Sequence, residues 1–306
     1  MYNFYREQWL VDRLAGTLAS VFGSHPCLEL GGVGASQVGE FSMLTVSTDA
    51  AALQCDTTWT PSGEVIAPAT DDRPFVYLKT PSVPSRYLWT LGLILIVSAL
   101  GVRLAGGRFG AMRGYLDLFF MGAGFLLLET KSVVQFALLF GTTWFVNALV
   151  FAGILITILA AIEVERRTRI RRPGLLFSLL FAGLLLAGLV PASWLLSLAT
   201  APRFLAATAL AFLPVFIANL VFAERFRDTA DPTTAFGANL LGAMVGGVLE
   251  YLSLITGYRG LLVLAAVLYA LAWVFGARKI GQAVPAGEPN DALAAPDADT
   301  VPSPSV

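Results

Sequence analysis

Gly114-Tyr-Leu-Asp-Leu-Phe-Phe-Met-Gly-Ala-Gly-Phe-Leu-Leu-Leu-Glu-Thr-Lys-Ser-Val-Val-Gln-Phe-Ala-Leu-Leu139 decides the fold class of this chain. The run exceeds the roughly 20 apolar residues an α-helix needs to cross the hydrocarbon of a bilayer, and it is long enough to tilt or break. Yet Glu129, Lys131 and Gln135 lie well inside it. An ionised side chain at mid-membrane costs roughly 2.5–3.5 kcal/mol on insertion scales. Each such group therefore needs an internal partner, a water-filled cavity or a break in the helix.

About seven apolar runs of this kind follow one another between Tyr87 and Phe275, near 87–104, 114–139, 143–162, 174–191, 202–222, 235–255 and 259–276. The expected fold is mainly α, a polytopic membrane helix bundle of about seven transmembrane helices over 86–278. A small α/β segment over 1–80 precedes it, and a Pro-, Ala-, Gly- and Asp-rich tail over 279–306, expected to be disordered, follows it. Composition agrees: the 306 residues are 56% hydrophobic and 13% charged, with mean hydropathy +0.72, whereas soluble domains carry about a quarter charged residues. The lipid bilayer is the expected partner. A net charge of −1 without a basic patch gives no ground for a nucleic-acid partner, and one His with two Cys gives none for a metal site. Cys27 and Cys55 form a disulfide only if the fold brings them together.

Within 1–80, the spacing of Phe4, Trp9, Leu10, Leu14 and Leu18 predicts an amphipathic helix ending near Phe22 and Gly23. Strands are predicted at Cys27–Leu30 and Phe41–Ser47, with Gly31, Gly32 and Gly34 in a loop between them. A glycine loop after a strand suggests cofactor binding only if a helix and further parallel strands follow. Here a second strand follows, so no cofactor-binding residues are assigned. Further along, Pro191 should end the fourth run, leaving 192–198 in the interface, and Pro214 should bend the fifth.

Arginines crowd the connections at Arg103, Arg108 and Arg113, from Arg166 to Arg172, and at Arg225 and Arg227. With seven crossings all fall on one side, which the positive-inside rule makes cytoplasmic. Residues 1–80 then lie outside, and placing them inside would need one of two departures. Either the rule fails at the first, weaker loop, or the segment holding Glu129 and Lys131 is re-entrant or doubled.

The intramembrane polar residues Glu129, Lys131, Gln135, Asn147, Asn239 and Glu250 are the candidate site. On a helix Glu129 and Lys131 point about 200° apart, whereas Lys131 and Gln135 share a face. Asn239, Ala243, Gly246 and Glu250 line one side of the sixth helix, and Gly242 with Gly246 makes a small-xxx-small pair that permits close helix contact. A contact of Lys131 with Glu129 or Glu250 is the expected pairing, read as a structural lock, a ligand or proton path, or interfacial snorkelling. Asn147 and Asn219 are placed to bond between helices. At the membrane boundary, Asp71 and Asp72 could bind a cation or an amine or simply form a turn, and Arg227, Asp228 and Asp231 form a charged loop that caps the sixth helix.

Four ordered motifs carry a family likeness: Tyr2-Asn-Phe-Tyr-Arg-Glu-Gln-Trp-Leu-Val-Asp-Arg13, Asp71-Asp-Arg-Pro-Phe-Val-Tyr77, Gly122-Ala-Gly-Phe-Leu-Leu-Leu-Glu-Thr-Lys131 and Phe236-Gly-Ala-Asn-Leu-Leu-Gly-Ala-Met-Val-Gly-Gly-Val-Leu-Glu250. Together they resemble the C-terminal half of bacterial membrane-embedded spermidine synthase-like proteins. The resemblance implies that 1–80 is the end of a Rossmann-like aminopropyltransferase or methyltransferase domain and that the chain resides in the bacterial inner membrane. It also implies that S-adenosylmethionine, or its decarboxylated form, binds to an upstream half not present here. By that comparison no catalytic residue can be assigned, the chain alone is inactive, and a catalytic half or separate catalytic chain is its partner. Two other readings compete. One is a small-solute or polyamine transporter-like bundle using Glu129, Lys131 and Glu250. The other is a structural scaffold, which requires Lys131 to be satisfied by carboxylates with no open path.

Overall fold

A computed structural model describes residues 2–3, 7–31, 41–63, 66–105, 108–168 and 172–276. In the polar N-terminal part, β1 (Tyr2–Asn3) precedes α1 (Gln8–Phe22), and β2 (Cys27–Gly31) and β3 (Phe41–Thr45) follow. The helix stops where the sequence predicts, because Gly23 takes the left-handed conformation (φ 71°) and returns its amide to Ala19. The strands form one antiparallel sheet in the order β1-β3-β2, with Leu28 opposite Leu44. Leu10, Val11, Leu14 and Ala15 of α1 pack with Leu44 and Trp59 into a small core.

Two charged residues of α1 are buried with this core and fix the loops around it. Asp12 accepts hydrogen bonds from Trp59 Nε1 at 2.9 Å and Gln8 Nε2 at 3.1 Å, and another from Ser62. Arg13 donates to the carbonyls of Phe75 (3.3 Å), Lys79 (3.1 Å) and Leu78, which ties the approach to the membrane onto α1. Burial lowers its guanidinium pKa from the ordinary arginine value. Cys27 and Cys55 are joined by a disulfide, with Cα atoms 5.1 Å apart. A domain this small has little apolar core to hold it, so such a staple carries weight. Because β2 pairs antiparallel with β3, no parallel crossover of the kind a dinucleotide-type loop requires lies among the described residues. Gly32 and Gly34 fall outside them, as do Arg169, Arg171 and the tail over 279–306.

The rest is helical: α2 (Ser85–Leu104), α3 (Phe109–Met112), α4 (Leu116–Phe140), α5 (Trp144–Arg167), α6 (Pro173–Leu189), α7 (Ala192–Ser197), α8 (Thr200–Arg227), α9 (Pro232–Leu249), α10 (Ser253–Thr256) and α11 (Tyr258–Gly276). Six spans, some joining consecutive short helices, are long and apolar enough to cross a membrane. The seventh apolar helix, α6, has 17 residues. At 1.5 Å per residue it measures about 26 Å, slightly short of a hydrocarbon core of about 30 Å. Pro191 separates α6 from α7, whose Leu195 is buried while Trp194 is exposed. Through Pro214 α8 runs unbroken, and the ring packs beside Gly183 of α6.

At the centre stands α4. It is one continuous helix over Leu116–Phe140, so the segment with Glu129 and Lys131 is neither re-entrant nor doubled. It lies parallel to α9 at a separation only glycine allows. A Cβ at Gly242 would stand 1.9 Å from the Phe119 carbonyl oxygen, and one at Gly246 would stand 2.5 Å from that of Ala123. In return, a Cβ at Gly122 would meet the Asn239 backbone oxygen at 2.2 Å. The small-residue pair read from the sequence is thus the seam of the bundle.

At one end of the bundle, Arg225 of α8 pairs with Asp117 of α4 at 2.5 Å, both buried. Arg227 pairs there with Glu165 and with Glu224 at 3.0 Å, and approaches Asp228 at 3.8 Å. Asp231 caps α9 by accepting from the Thr234 amide at 3.1 Å, and those bonds hold its carboxyl below the usual carboxylate range. The N-terminal domain sits at the opposite end.

Candidate functional site

Beneath the N-terminal domain, the ends of α4, α6, α7 and α11 leave a cavity of about 240 Å³. Its polar lining comes from Asp71, Asp72, Lys131, Gln135, Ser193, Tyr258 and Arg259, and its walls are apolar, with Leu138, Leu139 and Leu262 among them. Residues 60 to 190 apart in sequence meet here because Asp72 reaches over the bundle. Its carboxylate accepts from the Arg259 backbone amide at 2.8 Å, and its carbonyl oxygen accepts from the Tyr258 amide at 3.0 Å. Asp72 is therefore the N-terminal cap of α11, supplied from another part of the chain. Gly257, with φ 83°, makes the approach possible, since a Cβ there would lie 2.5 Å from the Asp72 carboxylate.

Lys131 supplies the deepest charge. It lies nine residues before the end of α4, about 13 Å along the helix axis, and its ammonium turns toward the cavity end, where it donates to Gln135 one helical turn on. The expected ion pair is not made. No carboxylate of the described residues lies within 4.0 Å of Lys131. Glu250, in the 3-10 turn after α9, accepts instead from Thr130 Oγ1 at 3.0 Å. Glu129 is half-buried on another face of α4, and neither glutamate borders the cavity. The reason is the helix itself: an unbroken α4 keeps Glu129 about 200° from Lys131 and gives the α9 face to Thr130.

The remaining candidates separate. Asn239 donates to the Leu118 carbonyl at 3.0 Å and so bridges α9 to α4. Asn147 is exposed on α5, and Asn219 donates to Val215 of its own helix at 2.8 Å, so neither makes the interhelical bond expected. Arg227 and Asp228 belong to the charge network at the far end, whereas Asp71 and Asp72 face the cavity. Tyr258, Arg259 and Ser193 were not legible as site residues, because nothing local marks a helix start as a cavity wall. Asp117 carried a signal, an acid within an apolar run, and so did Glu165 and Glu224 beside arginines.

Among the described residues no group of three or more His, Cys, Asp or Glu side chains is placed to hold a metal ion. Comparison with protein-family models, curated proteins and solved structures finds no match to this chain.

Proposed function

We propose that this chain is a solute-binding membrane module that holds a small charged molecule in the cavity beside Lys131. One observation carries the reading. A scaffold requires Lys131 to be neutralised by carboxylates within closed packing, whereas its hydrogen bond goes to a neutral amide and the cavity beside it is open.

On this reading all seven apolar helices cross the membrane and the cavity faces outward. Arg103, Arg108, Arg113, Arg166, Arg167, Arg172, Arg225 and Arg227 lie at or near the end away from the N-terminal domain, which favours that end as cytoplasmic. The Cys27–Cys55 disulfide supports the same orientation independently, because such bonds persist in oxidising compartments.

The resemblance to membrane-embedded spermidine synthase-like proteins supplies the wider setting. Its motifs Asp71–Tyr77 and Gly122–Lys131 converge at the cavity, and Phe236–Glu250 packs along α4 behind it. In that setting S-adenosylmethionine or its decarboxylated form is held by another part of the protein or another chain in the bacterial inner membrane, and this module contributes the solute site. The test is saturable thermal stabilisation of the full chain in lipid nanodiscs by inorganic phosphate, succinate, spermidine or an anionic phospholipid. At least one should act and should lose its effect in Gly188→Phe, which fills the cavity from its α6 wall. If none acts, or if Gly188→Phe changes nothing, the reading fails.

A further inference from the structure

Resting on the solute-binding reading, we propose that the cavity is built for an oxyanion, a phosphate-type or carboxylate headgroup, with Lys131 as its counterion and Arg259 at its rim. A membrane-embedded ammonium must be compensated, and the described residues place no carboxylate within 4.0 Å of this one. Donation to Gln135 Oε1 uses one of the three ammonium hydrogens, and the cavity lies where the others can be used.

The acidic residues nearby do not reverse this balance. Asp72 spends one carboxylate oxygen on the Arg259 amide, at the positive end of a 19-residue helix. Asp71 and Arg259 both line the cavity and are both exposed. Charge at the mouth is thus mixed, and Lys131 sets the sign in the depth. A polycation would have to place an amine against it. The volume, about 240 Å³, falls below the roughly 300–1,000 Å³ of drug-sized sites and suits a headgroup or small anion.

Such an anion can arrive from the outer aqueous phase or as the headgroup of an anionic phospholipid, and the experiment separates the two. The full chain is placed in phosphatidylcholine nanodiscs and titrated with inorganic phosphate at constant ionic strength; a parallel set contains phosphatidylglycerol. A free anion gives saturable stabilisation by phosphate that Lys131→Gln weakens about tenfold or more and Lys131→Arg retains. A lipid source gives no response to phosphate, but stabilisation by phosphatidylglycerol and its co-purification with wild type and Lys131→Arg, lost in Lys131→Gln. Indifference to both anions, or an equal response in Lys131→Gln, overturns the assignment. Stabilisation by spermidine alone overturns it while leaving the solute-binding reading intact, and no response to any probe removes both.

Discussion

Asp72 accepts a hydrogen bond at 2.8 Å from the backbone amide of Arg259, 187 residues further along the chain. This bond, with that from Tyr258 to the Asp72 carbonyl, couples the N-terminal domain to the helix that walls the cavity. Replacing a capping carboxylate by alanine costs about 1 kcal/mol in typical cases. Asp72→Ala should lower the melting temperature modestly and speed amide hydrogen exchange at Tyr258 and Arg259. Unchanged exchange there would mean that the cap is not formed in solution.

The α4–α9 seam tolerates no added carbon. Overpacking a close-fitted site costs about 1–3 kcal/mol, and at Gly242 the obstruction is backbone, 1.9 Å from a built Cβ. Gly242→Ala should therefore destabilise the purified bundle clearly. By contrast, Gly92→Ala, with nothing within 4 Å of its Cβ, should be close to neutral. Equal melting temperatures for the two variants would contradict the parallel seam.

Asp117 and Arg225 are buried at 0% and 5% exposure, and each sits at the helix end its charge favours, the start of α4 and the last turn of α8. Removing one partner of a buried pair costs about 3–5 kcal/mol because the other charge is stranded. Asp117→Asn and Arg225→Gln should each impair folding, and the double variant should be less damaging than the sum of the two. Strict additivity in a double-mutant cycle would show that the pair is not coupled.

The disulfide closes a loop with a sequence separation of 28, which chain-entropy arguments make worth about 3–4 kcal/mol to the domain holding it. Cys27→Ser with Cys55→Ser, or reduction, should loosen residues 8–31 and 41–59 in hydrogen exchange while leaving the helix bundle protected. Thiols found free in protein taken from cells without reductant would remove the support this bond gives to an outward domain.

Much of this fold was legible in the sequence because membranes demand long apolar runs and because glycine at Gly23, Gly242 and Gly246 has few other uses. The site was legible only in part. Lys131 and Gln135 could be paired by helical spacing, and Asp71 and Asp72 could be flagged, but their meeting depends on Gly257 and on a cap supplied across the chain. The expected ion pair of Lys131 with Glu129 or Glu250 failed for a local reason. Spacing alone does not reveal that Thr130, between Glu129 and Lys131, faces α9 and takes Glu250 as its acceptor.

The central claim is that the Lys131 cavity opens to the outer side of the membrane. Its most direct test is labelling of Gln135→Cys in intact cells with a small, charged, membrane-impermeant thiol reagent, using the exposed position Arg166→Cys as the opposite-end control; the native cysteines are disulfide-bonded. The account predicts rapid external labelling of the first variant and none of the second until the membrane is permeabilised. Labelling of Gln135→Cys only after permeabilisation, or of Arg166→Cys from outside, would contradict it.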